Sequence, residues 1–283
     1  MDEDYYRNFV IRLFKSVLAE PQLDQKYFGL SAMVGHENPT RVGATFSSDG
    51  TKTLRHSLRV ALDAKPDLID MAEWDEQNEN TSVRPTVYNG TSTMRIVRYY
   101  AGKQRGTNFG PLPGDDTNIP NLIVSYRKLL VLGEALDIEL VDVPDTHQST
   151  SYTAQVSLLD LQGNTVYQSP AQPFPNDRIH DNTLTIPSET LAKHQILRPR
   201  IGIEMNGRKS TFLDGLHEIE LRPSWNWDYK WVKQPLRDLL KPSKNTCQVK
   251  NSPLENNRII KADFQADEPL AYVQVLDNDN IVY

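Results

Sequence analysis

Two kinds of hydrophobic pattern divide the chain. In roughly the first hundred residues, apolar positions recur at helical spacing or in short continuous runs; later they recur at every second residue. Phe9, Leu13, Phe14, Val17 and Leu18 predict a helix over 4–19, with Asp2 and Asp4 at its positive end and Pro21 closing it. A buried strand is expected in KYFGLSAMVG (26–35). A second helix should open at Asp49-Gly50-Thr51 and run to about Ala64, with Leu54, Leu58, Ala61 and Leu62 on one face. LIDMAEW (68–74) reads as a second buried strand. After Pro85 and Asn89-Gly90, residues 92–103 read as a third helix, with Met94, Val97 and Tyr100 or Ala101 inward. Helix, strand, helix, strand, helix is the order of parallel α/β packing, whose strands are covered on both faces and read as continuous apolar runs.

From about 106 the character changes. RGTNFGPLPGDDTNIPN is rich in Gly, Pro, Asn and Asp and reads as a linker over 106–122. Beyond it, KLLVLGEALDIELVDV, TAQVSLLDLQGNTVYQS, ILRPRIGIEMNGR and GLHEIELRP have period two. Gln162-Gly163-Asn164 and Asn206-Gly207 sit where hairpin turns would. An antiparallel β-sandwich over 123–240 is the expectation, with a short helix near Ser188–His194. After KPSKNTCQVKNSP, a further β unit over 241–283 starts and stops within two or three strands. Two strands with three helices do not close an α/β core either. The expectation is therefore a fragment of a larger, multidomain protein.

Composition narrows the classes. With 38% hydrophobic and 24% charged residues over 283 positions, the chain can build a core. A net charge of -6 and a pI near 5.6 argue against a nucleic-acid binder, which needs a basic face. The single cysteine, Cys247, excludes an intramolecular disulfide and a Cys-based zinc site. His56, His147, His180, His194 and His217 are scattered and show no metal spacing, so neither metal nor cofactor is expected. No run reaches the ~20 apolar residues that span a bilayer. The N-terminus has no signal-peptide character. Residence is cytoplasmic if Met1 is the genuine start, and secreted or periplasmic if the chain was cut from an exported enzyme.

The stretch DMAEWDEQNENT (70–81) carries the candidate chemistry. Glu73, Asp75, Glu76 and Glu79 crowd the end of the second strand, where a core strand has no use for them. Alternation puts Asp70, Ala72, Trp74 and Glu76 on one face, with Ile69 and Met71 on the other. In a parallel α/β barrel, the C-terminal ends of strands build the site. Glu76 and Glu79 lie roughly 5–6 Å apart at Cβ if the chain turns helically there, and about 10 Å apart if it is extended. Either spacing suits the paired carboxylates of glycoside hydrolysis without choosing its stereochemistry. A hydrated acidic loop and a calcium site are the competing interpretations.

EWDEQNENTSVRPT (73–86) resembles the WNEWxEGTxIEPT segment of glycoside hydrolases of the family 99 type. The resemblance implies the C-terminal part of a (β/α) barrel over 1–105. It also implies a carbohydrate ligand, with Glu76 and Glu79 as catalytic carboxylates and Trp74 and Asp75 in the sugar pocket; His36, after the earlier strand where a barrel would again present site residues, and Asn78 are the further candidates to line it. Gln77, Asn80 and Arg84 depart from the pattern, removing one aromatic platform and reversing a charge. From a different class comes a non-catalytic carbohydrate-binding or structural β-sandwich module. It would use SWNWDYKW, where Trp225, Trp227, Tyr229 and Trp231 alternate along one strand face, either exposed for sugar stacking or buried in the core.

Overall fold

The computed structural model describes residues 3–23, 25–37, 45–76, 81–146, 150–212, 215–224, 231–239, 246–254, 257–265, 276–277 and 280–281. In chain order, its first part comprises α1 (Glu3–Tyr5), a π-helical turn, α2 (Ile11–Leu18), β1 (Gly29–Met33), β2 (His36–Glu37), β3 (Thr45–Phe46), α3 (Lys52–Asp63), β4 (Leu68–Ala72) and α4 (Ser92–Gln104). The two apolar runs become neighbouring parallel strands, in register from Gly29↔Leu68 to Met33↔Ala72. Parallel neighbours need a crossover, and α3 supplies it.

One face of this strand pair is covered and the other is open. Leu30 and Ala32 are buried, with Ile69 and Met71 packed beside them, whereas Ser31, Asp70 and Ala72 are exposed. The helix expected over 4–19 forms with its pattern turned outward. Phe9, Leu13, Phe14 and Val17 are each about half exposed, while Ile11, aided by Tyr6 and Leu18, meets Phe28, Leu30, Val60 and Ala61. The described core offers this helix only that narrow contact. On α4 Ser92, Thr93, Arg95 and Ile96 are buried and Val97 and Tyr100 pack half-buried against the same core, as expected, whereas Met94 is exposed and Arg95 is drawn inward by the buried Asp115 carboxylate described below.

The period-two region folds into sheets that are antiparallel except for one parallel pair, Leu129–Val131 with Ile219–Arg222. It contains β5 (Leu122–Arg127), β6 (Leu129–Val131), β7 (Leu136–Asp142), β8 (Tyr152–Leu159), β9 (Thr165–Gln168), β10 (Gln172–Phe174), β11 (His180–Ile186), α5 (Ser188–Leu191), β12 (Ile196–Met205), β13 (Arg208–Phe212), β14 (Ile219–Arg222), β15 (Trp231–Pro235) and α6 (Leu236–Leu239). A four-stranded sheet has the order β11-β7-β5-β15. A seven-stranded sheet runs β10-β8-β12-β14-β6, with β13 on β12 and β9 on β8. Asn206 and Gly207, at φ 53° and 72°, make the two-residue turn between β12 and β13, as their sequence predicts.

The inner strands β5 and β7 of the four-stranded sheet are buried on both sides. Ile123, Val141 and the following Val143 share a core with Ala32, Leu54, Leu58 and Ile96 of the α/β layer. Alternation turns Leu122, Val124, Ile138 and Leu140 to the opposite side, and there the Tyr152 hydroxyl of β8 donates to Asp142 at 2.9 Å. Fully burying each such aliphatic side chain contributes about 1.5–3 kcal/mol. The observed class is therefore α/β plus largely antiparallel β, with the two parts sharing one core inside a compact unit, Met1–Leu239.

The second unit, Leu240–Tyr283, contains the hairpin β16 (Thr246–Leu254) with β17 (Asn257–Gln265), and the short pair β18 (Leu276–Asp277) with β19 (Asn280–Ile281). Of the aromatic row, Trp225, Trp227 and Tyr229 lie outside the described residues, and Trp231 is half-buried on β15.

Candidate functional site

β4 ends at Ala72, and the chain leaves it through a cis peptide bond to Glu73. Residues 73–76 then run beside 81–84. Val83 N–H donates to the Glu73 carbonyl at 3.0 Å, Arg84 N–H to that of Trp74 at 2.8 Å, and Thr81 N–H to that of Glu76 at 3.2 Å. The buried hydroxyls of Thr81 and Ser82 reinforce these carbonyls, on Glu76 and Trp74 respectively, at 3.2 Å each. The backbone is thus held while the side chains point away. Glu73 and Asp75 are exposed, Glu76 is half-buried, and Trp74 exposes 59% of its surface.

Trp74, Asp75 and Glu76 are brought together on this one loop. His36 lies three residues beyond Met33, and Met33 is the register partner of Ala72, so His36 stands at the same C-terminal end of the strand pair. Glu79 and Asn78 lie outside the described residues. Among the described residues, no hydrogen bond or ion pair holds the Glu73, Asp75 or Glu76 carboxylates, and no group of His, Cys, Asp and Glu could hold a metal. Such an arrangement offers solvated carboxylates beside an exposed indole.

More elaborate chemistry lies behind the loop. The segments DGTKTLR (49–55) and NGTSTMR (89–95) repeat one pattern, and the structure uses both copies in the same way. At the start of α3, Thr51 N–H and Oγ1–H donate to Glu139 Oε2 at 2.8 and 3.0 Å. Arg55 donates to Thr51 Oγ1 at 3.0 Å and to Glu139 Oε1 at 2.7 Å. At the start of α4, Thr91 N–H and Oγ1–H donate to Asp238 Oδ2 at 2.7 and 2.8 Å. Arg95 donates to Thr91 Oγ1 at 2.8 Å and to Asp238 Oδ1 at 3.0 Å. Each clamp fastens a helix N-terminus to a carboxylate of the β region, where a negative charge suits both the amide and the helix dipole. The glycine is required at both places. A Cβ on Gly50 would lie 2.5 Å from Glu139 Oε2, and one on Gly90 would lie 2.6 Å from Asp238 Oδ2.

The second clamp extends into a buried network. Arg95 makes two parallel bonds to Asp115, at 2.7 and 2.8 Å, and one to Asn121 at 2.9 Å, so all five of its N–H donors are used. Arg237, also buried, pairs with Asp145 and lies 3.4 Å from Asp115, while its Nε–H donates to the Ile119 carbonyl at 2.7 Å. Burial would push the Asp115 carboxyl up, but the hydrogen bonds and charge of Arg95, with Arg237 behind it, hold it down to about 2. Asp142 goes the other way. Burial pushes it up to about 7 against the single hydroxyl of Tyr152, and its Oδ2 accepts no hydrogen bond among the described residues. Apart from Asp142, each of these carboxylates meets an arginine, with Asp115 shared by two, which marks a structural centre. The pattern-by-pattern reading missed them; the signal that could have found them is the D/N-G-T-x-T-x-R repeat.

No family model matches the chain, and no curated protein matches it. Among solved structures it is similar to a β-glucosidase from Listeria innocua in complex with glucose, at 15% identity over 36% of this chain and 16% of that one, with a TM-score of 0.25. A putative β-galactosidase from Bacteroides fragilis matches at 12% identity over 51% and 18%, with a TM-score of 0.22. The Pseudomonas fluorescens alkylpurine DNA glycosylase AlkC matches at 12% over 64% and 48%, with a TM-score of 0.24. The chain spans less than a fifth of the length of the first two. These similarities are too slight to decide a fold or a function.

Proposed function

We propose that the chain belongs to a glycoside hydrolase-like protein and carries a carbohydrate site on the loop after β4. Glu76 and Glu79 are the carboxylate pair, and Trp74, Asp75, His36 and Asn78 line the sugar. The observation that carries this reading is the loop itself. An exposed Trp74 stands beside Asp75 and Glu76, on a pinned backbone at the C-terminal end of parallel strands. An indole offers a pyranose an apolar face. Of two neighbouring carboxyls, one protonates the glycosidic oxygen while the other serves as base or nucleophile.

The finer reading is that β1 and β4 are late strands of a (β/α) barrel related to the family 99 type. Its support is the Trp74–Thr86 resemblance together with two open surfaces. The Ser31, Asp70 and Ala72 face of the strand pair and the outward apolar face of α2 are both of the kind that neighbouring βα units bury. A second reading, sugar binding without hydrolysis, needs only Trp74 and its polar neighbours. Reducing-sugar release from a panel of polysaccharides tests the proposal. Activity abolished in both Glu76→Gln and Glu79→Gln supports it, activity unchanged in either refutes the pair, and binding without release selects the second reading.

A further inference from the structure

Independently of the carbohydrate site, we infer that two copies of this chain associate through the outward face of their first helical segment, paired antiparallel about a two-fold axis. The segment comprises α1, the π-helical turn and α2, Glu3 to Leu18. Its inner side is Ile11, buried, with Tyr6 and Leu18 half-buried beside it. Its outer side carries two neighbouring rows at four-residue spacing, every member exposed. One is apolar, Tyr5, Phe9, Leu13 and Val17; the other is polar, Asp4, Asn8, Arg12 and Ser16. The Tyr5 and Phe9 rings stack with centroids 5.3 Å apart, so the four-residue step stays on one face through the π-helical turn.

The apolar row is an interface of modest size. Tyr5, Phe9 and Phe14, which extends the row beside Leu13, are 57%, 54% and 55% exposed, and Leu13 and Val17 are 50% and 46% exposed. A buried aromatic covers about 150–250 Å², so the five side chains together offer roughly 450 Å² per copy, the size of patch that on a monomer is often functional. Two copies remove about 900 Å² from water, less than the ~1,200–2,000 Å² of stable specific interfaces, which fits a weak and reversible dimer.

The polar row identifies the occupant. Asp4 and Arg12 stand eight residues apart, about 12 Å along a helix, too far to meet within one copy. Neither has an ion pair among the described residues. Reversed about Asn8 and Phe9, the row is its own complement. Asp4 of each copy then faces the partner's Arg12, Tyr5 faces the partner's Leu13, and the two Phe9 rings meet at the axis, as an isologous interface requires. A parallel pairing would bring like ends together. Four-residue rows on both copies interdigitate at the commonest helix crossing, about −50°. A lipid surface favours a helix whose polar face is rich in Lys and Arg; this row balances one acid against one base, in a chain of net charge -6. A neighbouring βα unit, which would bury the same apolar row in a barrel, gives no account of a polar row that complements itself.

The test is sedimentation equilibrium of the full chain from about 5 to about 500 μM, a range that spans weak association. A reversible monomer–dimer equilibrium is expected, weakened at least about tenfold in Phe9→Ser/Leu13→Ser and unchanged in Leu161→Ser, which removes an exposed leucine elsewhere. Phe9 and Leu13 are each about half exposed, so the melting curve of the double variant at low concentration should match that of the native chain. Charge reversal distinguishes this pairing from general stickiness. Asp4→Arg and Arg12→Glu should each weaken the dimer several-fold, because two symmetric pairs turn repulsive. Asp4→Arg/Arg12→Glu, whose row is again self-complementary, should restore it. A monomer at every concentration, a dimer that persists in Phe9→Ser/Leu13→Ser, or a double charge variant no better than the single ones overturns the inference. Binding to mixed phosphatidylcholine and phosphatidylglycerol vesicles without a dimer in solution assigns the face to a lipid surface and overturns it too. No sugar enters this readout, so the dimer and the carbohydrate site can fail separately. A dimer through this face takes α2 out of the support for a barrel, and a monomer leaves that support as it stands.

Discussion

Replacing Arg95 by methionine removes the charge while keeping most of the side-chain length, and its consequence can be worked from the structure. The change leaves the Asp115 side chain, fully buried, without its two-bonded partner, and strips Asn121 and Asp238 of one donor each. Asp115 is held down from 3.8 to about 2 mainly by Arg95 against burial, a displacement of about 1.8 pH units, or roughly 2–3 kcal/mol. Breaking a buried ion pair by removing one member costs about 3–5 kcal/mol overall, because the remaining charge stays desolvated. The expected loss is thus about 3–5 kcal/mol, lowering the melting temperature by around 10 °C at ~2–4 °C per kcal/mol. Urea and thermal unfolding followed by circular dichroism measure it. The pH dependence has a definite sign. A carboxyl whose folded value is depressed contributes fully above its unfolded value near 3.8, and that contribution disappears as pH falls through 2. The deficit of Arg95→Met should therefore shrink in acid. In Arg95→Met, a further Asp115→Asn change should cost little, since the pair is already broken. A loss below about 1 kcal/mol, or full additivity of the two single losses, would refute the coupling.

Three further outcomes follow from the same geometry. Asp142 is raised from 3.8 to about 7, so between those values the folded chain keeps a proton that the unfolded chain has released, and stability falls as pH rises through that window. Asp142→Asn keeps an acceptor for Tyr152 and should flatten this slope. It should be the more stable protein at pH 8, by up to about 4 kcal/mol from the pKa displacement less ~1–3 for an unsatisfied amide; parallel pH–stability curves would contradict it. Gly50→Ala should cost more than about 2 kcal/mol, since alanine meets both the positive φ of 68° and the Glu139 oxygen 2.5 Å away. Gly133→Ala, with a positive φ but nothing near its added carbon, should cost only the backbone part, about 1–2 kcal/mol. Equal losses at the two glycines would show that the clamp gives way without cost.

Much of the fold is legible where local chemistry and tertiary packing agree. Asn206-Gly207 can adopt the two positive φ values its hairpin needs, and Ile69 and Met71 alternate with Asp70 and Ala72 as a strand covered on one face must. Leu122–Arg127 shows no alternation because β5 is buried between two cores, so the period-two pattern starts one strand late. The burial of Arg95 on α4 is not legible, since it reads as a surface residue until its partners, the buried Asp115 and the half-buried Asp238, are known from elsewhere in the chain. The outward face of α2 has the pattern of a core helix, and pattern alone does not say which of two apolar sides finds a partner. At the candidate site, sequence brings Trp74, Asp75 and Glu76 together by adjacency. The His36 end of the strand pair follows only from the parallel register.

The most direct test of the carbohydrate site is sugar binding at Trp74, which does not depend on a complete catalytic pair. Saturation-transfer NMR with a panel of oligosaccharides should show contact with the native chain, abolished in Trp74→Ala and retained in Trp231→Ala. Contact that survives Trp74→Ala, or is absent for every sugar in the panel, would contradict the assignment of the loop after β4 as a carbohydrate site.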